Sequence, residues 1–104
     1  MDPSAVAELA DVILVALGLR VAALVLYPPE RSERPRMLVL ADELPPPEDR
    51  AAFLEQRTPP GSLGDAEIML KTPAEVAAEA PRTALGSGRV LLDRGGIRAA
   101  GLTP

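Results

Sequence analysis

Two apolar runs separated by a short charged segment constrain the fold more than any other feature of this sequence. Val21–Tyr27 reads VAALVLY, Met37–Ala41 reads MLVLA, and the segment between them reads PPERSERPR. Short apolar runs bounded by turn residues are typical of β-strands. Because neither run alternates with polar residues, both strands should be covered on both faces. The stretch therefore predicts two adjacent, antiparallel strands, at about residues 20–27 and 36–41.

The flanking segments predict the remaining elements of one α/β domain. The predicted helices run from Asp2-Pro3 to Gly18, over Glu48–Arg57 and from Thr72 to about Ala80, with a last helical turn at Ile97–Ala100. The predicted strands lie at about 66–71 and over Arg89–Asp93. In the second helix, Ala52, Phe53 and Gln56 should face inward. Thr72-Pro73-Ala74-Glu75 has the pattern of a capping box. This order predicts a small mixed sheet of about four strands, with helices packed on it and the third strand beside the second.

Composition excludes several kinds of chemistry. The chain of 104 residues contains no Cys and no His, so it has no thiol nucleophile, no disulfide and no imidazole base. Its net charge of −4 argues against nucleic-acid binding, and we expect no metal and no cofactor. The absence of Asn and the 12 Pro residues fit a heat-adapted protein, although a codon bias toward Ala, Arg and Pro explains them equally well.

The apolar stretch Val6–Leu26 raises the question of a membrane segment. Glu8, Asp11 and Arg20 interrupt it, whereas a spanning helix needs about 20 largely uncharged residues. A signal peptide would carry positive charge before its apolar run, and here Asp2 comes first. We therefore expect a soluble, cytoplasmic protein that does not bind a membrane.

Several short segments resemble a known family. They are LVLY at 24–27, MLVLADELPP at 37–46, EIMLKTPAEV at 67–76 and RVLLDRGG at 89–96. In this order and spacing, the chain resembles the small single-domain nucleotidyltransferases related to kanamycin nucleotidyltransferase and to the antitoxin partners of HEPN toxins. The resemblance implies a nucleotidyltransferase-like α/β fold over residues 1–104.

The resemblance also implies a site for a nucleoside triphosphate and a metal ion. Family members use a Gly-Ser after strand one, two Asp one residue apart on strand two and a third acid on strand three. Here the Gly-Ser position falls on Pro28-Pro29, and the paired Asp positions fall on Arg34 and Arg36. Only Glu67 corresponds to the third acid. The resemblance therefore implies a scaffold that has lost its catalytic residues, and we assign none.

Two weaker candidate sites remain, each with a simpler interpretation. Arg31, Arg34 and Arg36 could hold an anion without metal, or they could form a solvated loop neutralised by the two glutamates of the same segment. Glu67 could be a residual acid, or an exposed strand residue paired with Lys71.

Three functions are compatible with these residues. The first is an inactive nucleotidyltransferase-like domain that acts as a binding or structural partner, either as a homo-oligomer or with a helical HEPN-like protein. The second is a metal-free nucleotide- or anion-binding protein, and the third is an active nucleotidyltransferase with a displaced site. The first helix favours a homo-oligomer, because Val12 and Val15 lie beside its core stripe of Val6, Leu9, Ile13 and Leu17.

Overall fold

The computed structural model describes residues 3–27, 36–64, 66–79 and 88–102. Its helices are α1 (Pro3–Leu17), α2 (Arg50–Arg57), α3 (Pro73–Glu79) and α4 (Gly96–Ala99), and its strands are β1 (Val21–Tyr27), β2 (Arg36–Ala41), β3 (Glu67–Lys71) and β4 (Arg89–Asp93). Short 3₁₀ turns at Gly18–Arg20 and Pro47–Asp49 precede β1 and α2. Within these ranges, no helix has both the length and the apolar character needed to cross a membrane.

The four strands form one mixed sheet in the order β3-β2-β1-β4. β1 is antiparallel to both β2 and β4, whereas β2 and β3 are parallel. Parallel neighbours need a crossover connection, and the segment containing α2 supplies it. The predicted α/β class, the antiparallel central pair and the position of the third strand beside the second are confirmed.

α1 and α2 cover one face of the sheet. Leu9, Ile13 and Leu17 of α1 are buried at successive turns and pack in one cluster with Leu54 of α2. The strands contribute the alternate residues Leu24, Met37, Val39, Ala41 and Leu70 to this cluster. The predicted core stripe of α1 is therefore confirmed at these three positions, whereas Val6 is only half-buried.

α3 and α4 cover the opposite face. Val76 of α3 and Ile97 of α4 pack in a second cluster with Ala23 and Val25 of β1. Leu38 and Leu40 of β2 join the same cluster, and Ala100 and Leu102 close it after α4. The central strands β1 and β2 are thus buried on both faces, as their unbroken apolar sequence predicts.

The inward face of α2 differs from the prediction. Leu54 is buried and Phe53 is half-buried, but Ala52 and Gln56 are exposed. The helix begins at Arg50 rather than Glu48, and the side of α2 that meets the sheet follows the spacing 50, 53, 54. Ala52 and Gln56 lie off this stripe, so the predicted orientation was wrong for both.

Two adjacent glycines allow α4 to approach the sheet. Gly95 has a φ of +99°, in the left-handed region that favours glycine. A Cβ placed on Gly96 would lie 2.8 Å from the carbonyl carbon, the carbonyl oxygen and the Cβ of Ala22 in β1. The backbone of α4 therefore rests directly on the strand.

We expect Gly96→Ala to lower the free energy of unfolding by about 1–3 kcal/mol, because two backbone segments must separate to admit the methyl group. Arg98→Ala, at an exposed position of the same helix, is the control and should change stability by less than about 0.5 kcal/mol. Urea unfolding at pH 7 measures both variants. Equal stabilities would contradict the close contact of α4 with β1.

Candidate functional site

One row of side chains crosses the sheet where β1 ends and where β2 and β3 begin. It consists of Tyr27, Arg36 and Glu67. Tyr27 of β1 pairs with Arg36 of β2, and Arg36 pairs with Glu67 of β3. Laterally paired residues project from the same face of a sheet. The structure therefore brings together Arg36 and Glu67, two of the residues singled out from the sequence.

The burial of this row increases toward β1. Glu67 and Arg36 are exposed, whereas Tyr27 is half-buried and packs against the second core cluster. Neither Arg36 nor Glu67 forms an ion pair with another described residue. Arg31 and Arg34, the other candidate anion-binding residues, lie outside the described residues, as do Pro28 and Pro29.

The chemistry of the row does not fit a divalent metal ion. It supplies one carboxylate, on Glu67, next to a permanently charged guanidinium on Arg36. Mg²⁺ prefers several carboxylate or phosphate oxygens, and a neighbouring guanidinium repels it. Within the described part of the chain, no three acidic side chains are grouped closely enough to hold a metal ion.

A different polar cluster occupies the opposite end of β3. Arg50 of α2 donates two hydrogen bonds to the carboxylate of Glu75 in α3, at 2.7 and 2.9 Å. The same guanidinium donates to the carbonyl oxygens of Pro45 and Leu70, at 2.9 and 3.2 Å. Its side chain is 11% exposed. Arg50 therefore links α2, the end of β3 and the start of α3.

Glu75 also completes the predicted capping box. The backbone N–H of Thr72 donates to Oε1 of Glu75 at 2.8 Å, and the N–H of Glu75 donates to the Thr72 hydroxyl at 3.2 Å. The hydrogen bonds from Arg50 are the main reason why the pKa of Glu75 falls from its ordinary value of 4.5 to about 2, and the Thr72 N–H lowers it further. The carboxylate is thus ionised at neutral pH.

An open groove of about 440 Å³ lies beside this cluster. Ala51 and Leu54 of α2 and Ile68 and Leu70 of β3 form its apolar part, and Arg50, Lys71 and Glu75 line its polar part. Because four acceptor contacts already engage the Arg50 guanidinium, the cluster stabilises the junction of three elements rather than offering a charge to a ligand.

Sequence reasoning identified Glu75 only as a capping residue and did not select Arg50. The two residues are 25 positions apart, and no local pattern signals their contact. The sequence offers no local hint, because Arg50 is one of two arginines in α2 and most residues of this helix are exposed.

The fold and these two clusters define a small α/β domain in which a mixed four-stranded sheet lies between two pairs of helices. Comparisons with protein-family models, with curated proteins and with solved structures found no match for the chain.

We expect Arg50→Ala to lower the free energy of unfolding by about 1–3 kcal/mol, because Glu75 and two carbonyl groups lose their donor. The matched control is Arg57→Ala in the same helix. Arg57 is exposed, stacks 3.7 Å over the Phe53 ring and should contribute about 0.5–1 kcal/mol. Urea unfolding of the two variants compares them, and an equal or larger loss for Arg57→Ala would contradict the central role of Arg50.

The lowered pKa of Glu75 predicts a specific dependence of stability on pH. A carboxyl group whose pKa is lower in the folded state stabilises that state above its unfolded pKa, and this contribution disappears as the pH falls through the folded pKa. The stability difference between the parent and Glu75→Gln should therefore be full above about pH 5 and shrink from about pH 4.5 toward pH 2. Urea unfolding at pH 7, 5, 4 and 3 measures it, and a constant difference would show that the ionised carboxylate is not its cause.

Proposed function

We propose that this protein is a nucleotidyltransferase-like domain that has lost catalysis and serves as a binding or structural partner. The resemblance in the sequence assigns the second of the paired strand-two acids to Arg36 and the third acid to Glu67. The partner is a second copy of the chain or a helical protein of the HEPN type.

One observation carries the proposal: Arg36 and Glu67 are paired neighbours on β2 and β3. In an active member of the family, the residues at these two positions must lie close together, because both act on one metal ion. Their register supports the correspondence that the sequence resemblance implies. The residue types oppose activity, since the position that needs an Asp holds an Arg.

Coulomb's law gives the energy by which an Arg in place of an Asp disfavours a bound metal ion. Two unit charges 4 Å apart interact by about 1 kcal/mol in water and about 4 kcal/mol near a protein surface. Replacing an attractive carboxylate by a repulsive guanidinium changes the sign of that energy, and a divalent ion doubles it. Glu67 alone does not compensate for such a change.

The alternative of a metal-free anion site at Arg31, Arg34 and Arg36 is less well supported. Glu67 lies beside Arg36 in the same row and repels an anion that approaches it. If the three arginines nevertheless converge on an anion, ATP without metal should raise the melting temperature in low salt. An active enzyme would need a displaced site, and we find no described cluster of acids that would form one.

We expect the protein to transfer no nucleotide from any nucleoside triphosphate with Mg²⁺ or Mn²⁺ and to show no divalent-metal binding in calorimetry. Labelled ATP, GTP, CTP and UTP would be tested for transfer and for pyrophosphate release. Glu67→Gln is the background control. Turnover by the parent above that control would refute the proposal.

A set of four substitutions that introduces the residues of the family tests whether these positions correspond to the active site of the family. Pro28→Gly, Pro29→Ser, Arg34→Asp and Arg36→Asp together should restore Mg²⁺ or Mn²⁺ binding, and adding Glu67→Gln should weaken it again. The matched control carries Arg89→Asp and Arg98→Asp, two exposed positions outside the row, and makes the same change in net charge. Equal metal binding by the control would show that only the overall charge matters.

A further inference from the structure

The strand β3 lies at one edge of the sheet, and its outer side is open. Its neighbour on the inner side is β2, and no described strand lies on its other side. The open groove beside α2 follows this strand, with Ile68 and Leu70 among the residues that line it. An open edge strand presents backbone N–H and C=O groups to which a further strand can bind. We call the outer side of Glu67–Lys71 the β3 edge.

Two hydrogen bonds show which backbone groups point outward from the β3 edge. The carbonyl oxygen of Leu70 accepts from Arg50 of α2 at 3.2 Å. The N–H of Ala66 donates to the carbonyl oxygen of Leu63 at 3.3 Å, so it is directed away from β2. Because backbone groups repeat their direction at every second residue of a strand, the N–H and C=O of Ile68 also point outward. In the described part of the chain, the backbone hydrogen bonds outside the sheet include none to Ile68 or to the N–H of Leu70.

The sequence of β3 is complementary to itself in antiparallel orientation. EIMLK begins with an acid, ends with a base and has Met69 at its centre. When two copies pair with Met69 at a two-fold axis, Glu67 of each copy lies opposite Lys71 of the other. Ile68 then lies opposite Leu70, and their outward backbone groups exchange both N–H···O=C hydrogen bonds. An isologous interface requires this kind of self-complementarity.

The contacts that Leu70 and Lys71 already make are compatible with this pairing. Arg50 occupies one of the two lone pairs of the Leu70 carbonyl oxygen, and the second can accept from Ile68 of the other copy. Lys71 already interacts within its own chain, and the three donors of an ammonium group allow it to contact Glu67 of the other copy as well. Ile68 and Leu70 line the apolar part of the groove, so a second copy would also cover apolar surface there.

The charges select one register of this pairing. A slip by one residue would turn the side chains of β3 to the opposite face of the sheet, so the competing registers differ by two residues. Such a slip sets Glu67 opposite Met69 or opposite Pro73, and both charge pairs are then lost. Pro73 also lacks the N–H that a strand ladder needs. The pairing centred on Met69 is therefore the register with opposite charges at both ends.

We propose that the β3 edge is the interface of a two-fold homodimer, in which β3 pairs with β3 of a second copy and joins the two sheets into one. The inference rests on the proposed function, since it names a second copy as the partner. Backbone hydrogen bonds hold the two strands together, and the pairs of Glu67 with Lys71 at both ends set the register.

The other edge strand, β4, is a less suitable interface. It also carries opposite charges at its ends, on Arg89 and Asp93. Its pairing with β1 passes from Leu92 to Val90 and leaves out Leu91, which marks an irregularity at the centre of the strand. Such bulges interrupt the alternation of backbone groups and hinder the addition of another strand. β4 therefore provides a matched control for charge substitutions at the β3 edge.

Light scattering coupled to size exclusion at micromolar concentration should show a dimer for the parent. Lys71→Glu should weaken dimerisation by roughly tenfold or more, because both charge pairs of the interface then join like charges. Arg89→Glu makes the same change of charge on β4 and should leave the dimer intact. A monomeric parent, or a dimer that Arg89→Glu weakens as much as Lys71→Glu does, would overturn the proposal.

Exchange of the two charges tests the register. Glu67→Lys should weaken self-association as Lys71→Glu does. An equimolar mixture of these two variants should form heterodimers, since every end pair is again of opposite sign. The double variant Glu67→Lys/Lys71→Glu should dimerise like the parent. Failure of both the mixture and the double variant, with melting curves that show folded proteins, would refute the pairing centred on Met69.

Amide hydrogen exchange of the parent tests the backbone contact without any substitution. In the dimer, the N–H groups of Ile68 and Leu70 should exchange at least about tenfold more slowly than after dilution to the monomer, because each donates to the second copy. Exchange at these two positions that does not change with protein concentration would contradict the β3 edge as the interface, whatever the oligomeric state.

These outcomes separate the interface from the proposed loss of catalysis. Nucleotide transfer by a dimeric parent would refute the proposed function and leave the β3 interface in place. A monomeric parent without transfer or metal binding would refute the interface alone.

Discussion

The antiparallel pairing of β1 with β2 is the contact on which the rest of the structure depends. The two strands are the inner members of the sheet, and their side chains enter both core clusters. Each face then needs a cover, which α1 and α2 provide on one side and α3 and α4 on the other. Because the chain has only two aromatic side chains among 104 residues, the covering depends on many well-placed aliphatic groups.

Most of the fold could be predicted from sequence because its signals are local and agree with one another. The unbroken apolar runs identify the central strands, Gly18 ends α1 with a φ of +59°, and the capping box marks the start of α3. The face that α2 presents could not be predicted in the same way. Its sequence, RAAFLEQR, contains four apolar residues in succession, and only the sheet beneath it decides that Leu54 and not Ala52 turns inward.

The candidate site was accessible to sequence reasoning only in part. Arg36 and Glu67 were selected because a family resemblance assigned them to equivalent places, and the strand register puts them side by side. Arg50 was missed because three of its four acceptor contacts are to Leu70 and Glu75, 20 and 25 residues away. Local spacing carries information about capping and strand alternation, but it does not carry information about a side chain that joins elements 20 to 25 residues apart.

The outer side of α1 shows why the fold of one copy does not account for the whole sequence. Leu9, Ile13 and Leu17 satisfy the need of the sheet for a cover, so Val15 and Leu19 add nothing to that core. At an exposed helical position a Val has a lower helix propensity than Glu, Lys or Ala, and it leaves apolar surface in water. The second of these penalties disappears wherever another apolar surface covers the side chain. Val15 and Leu19 are therefore residues that the packing of the described core leaves without a role.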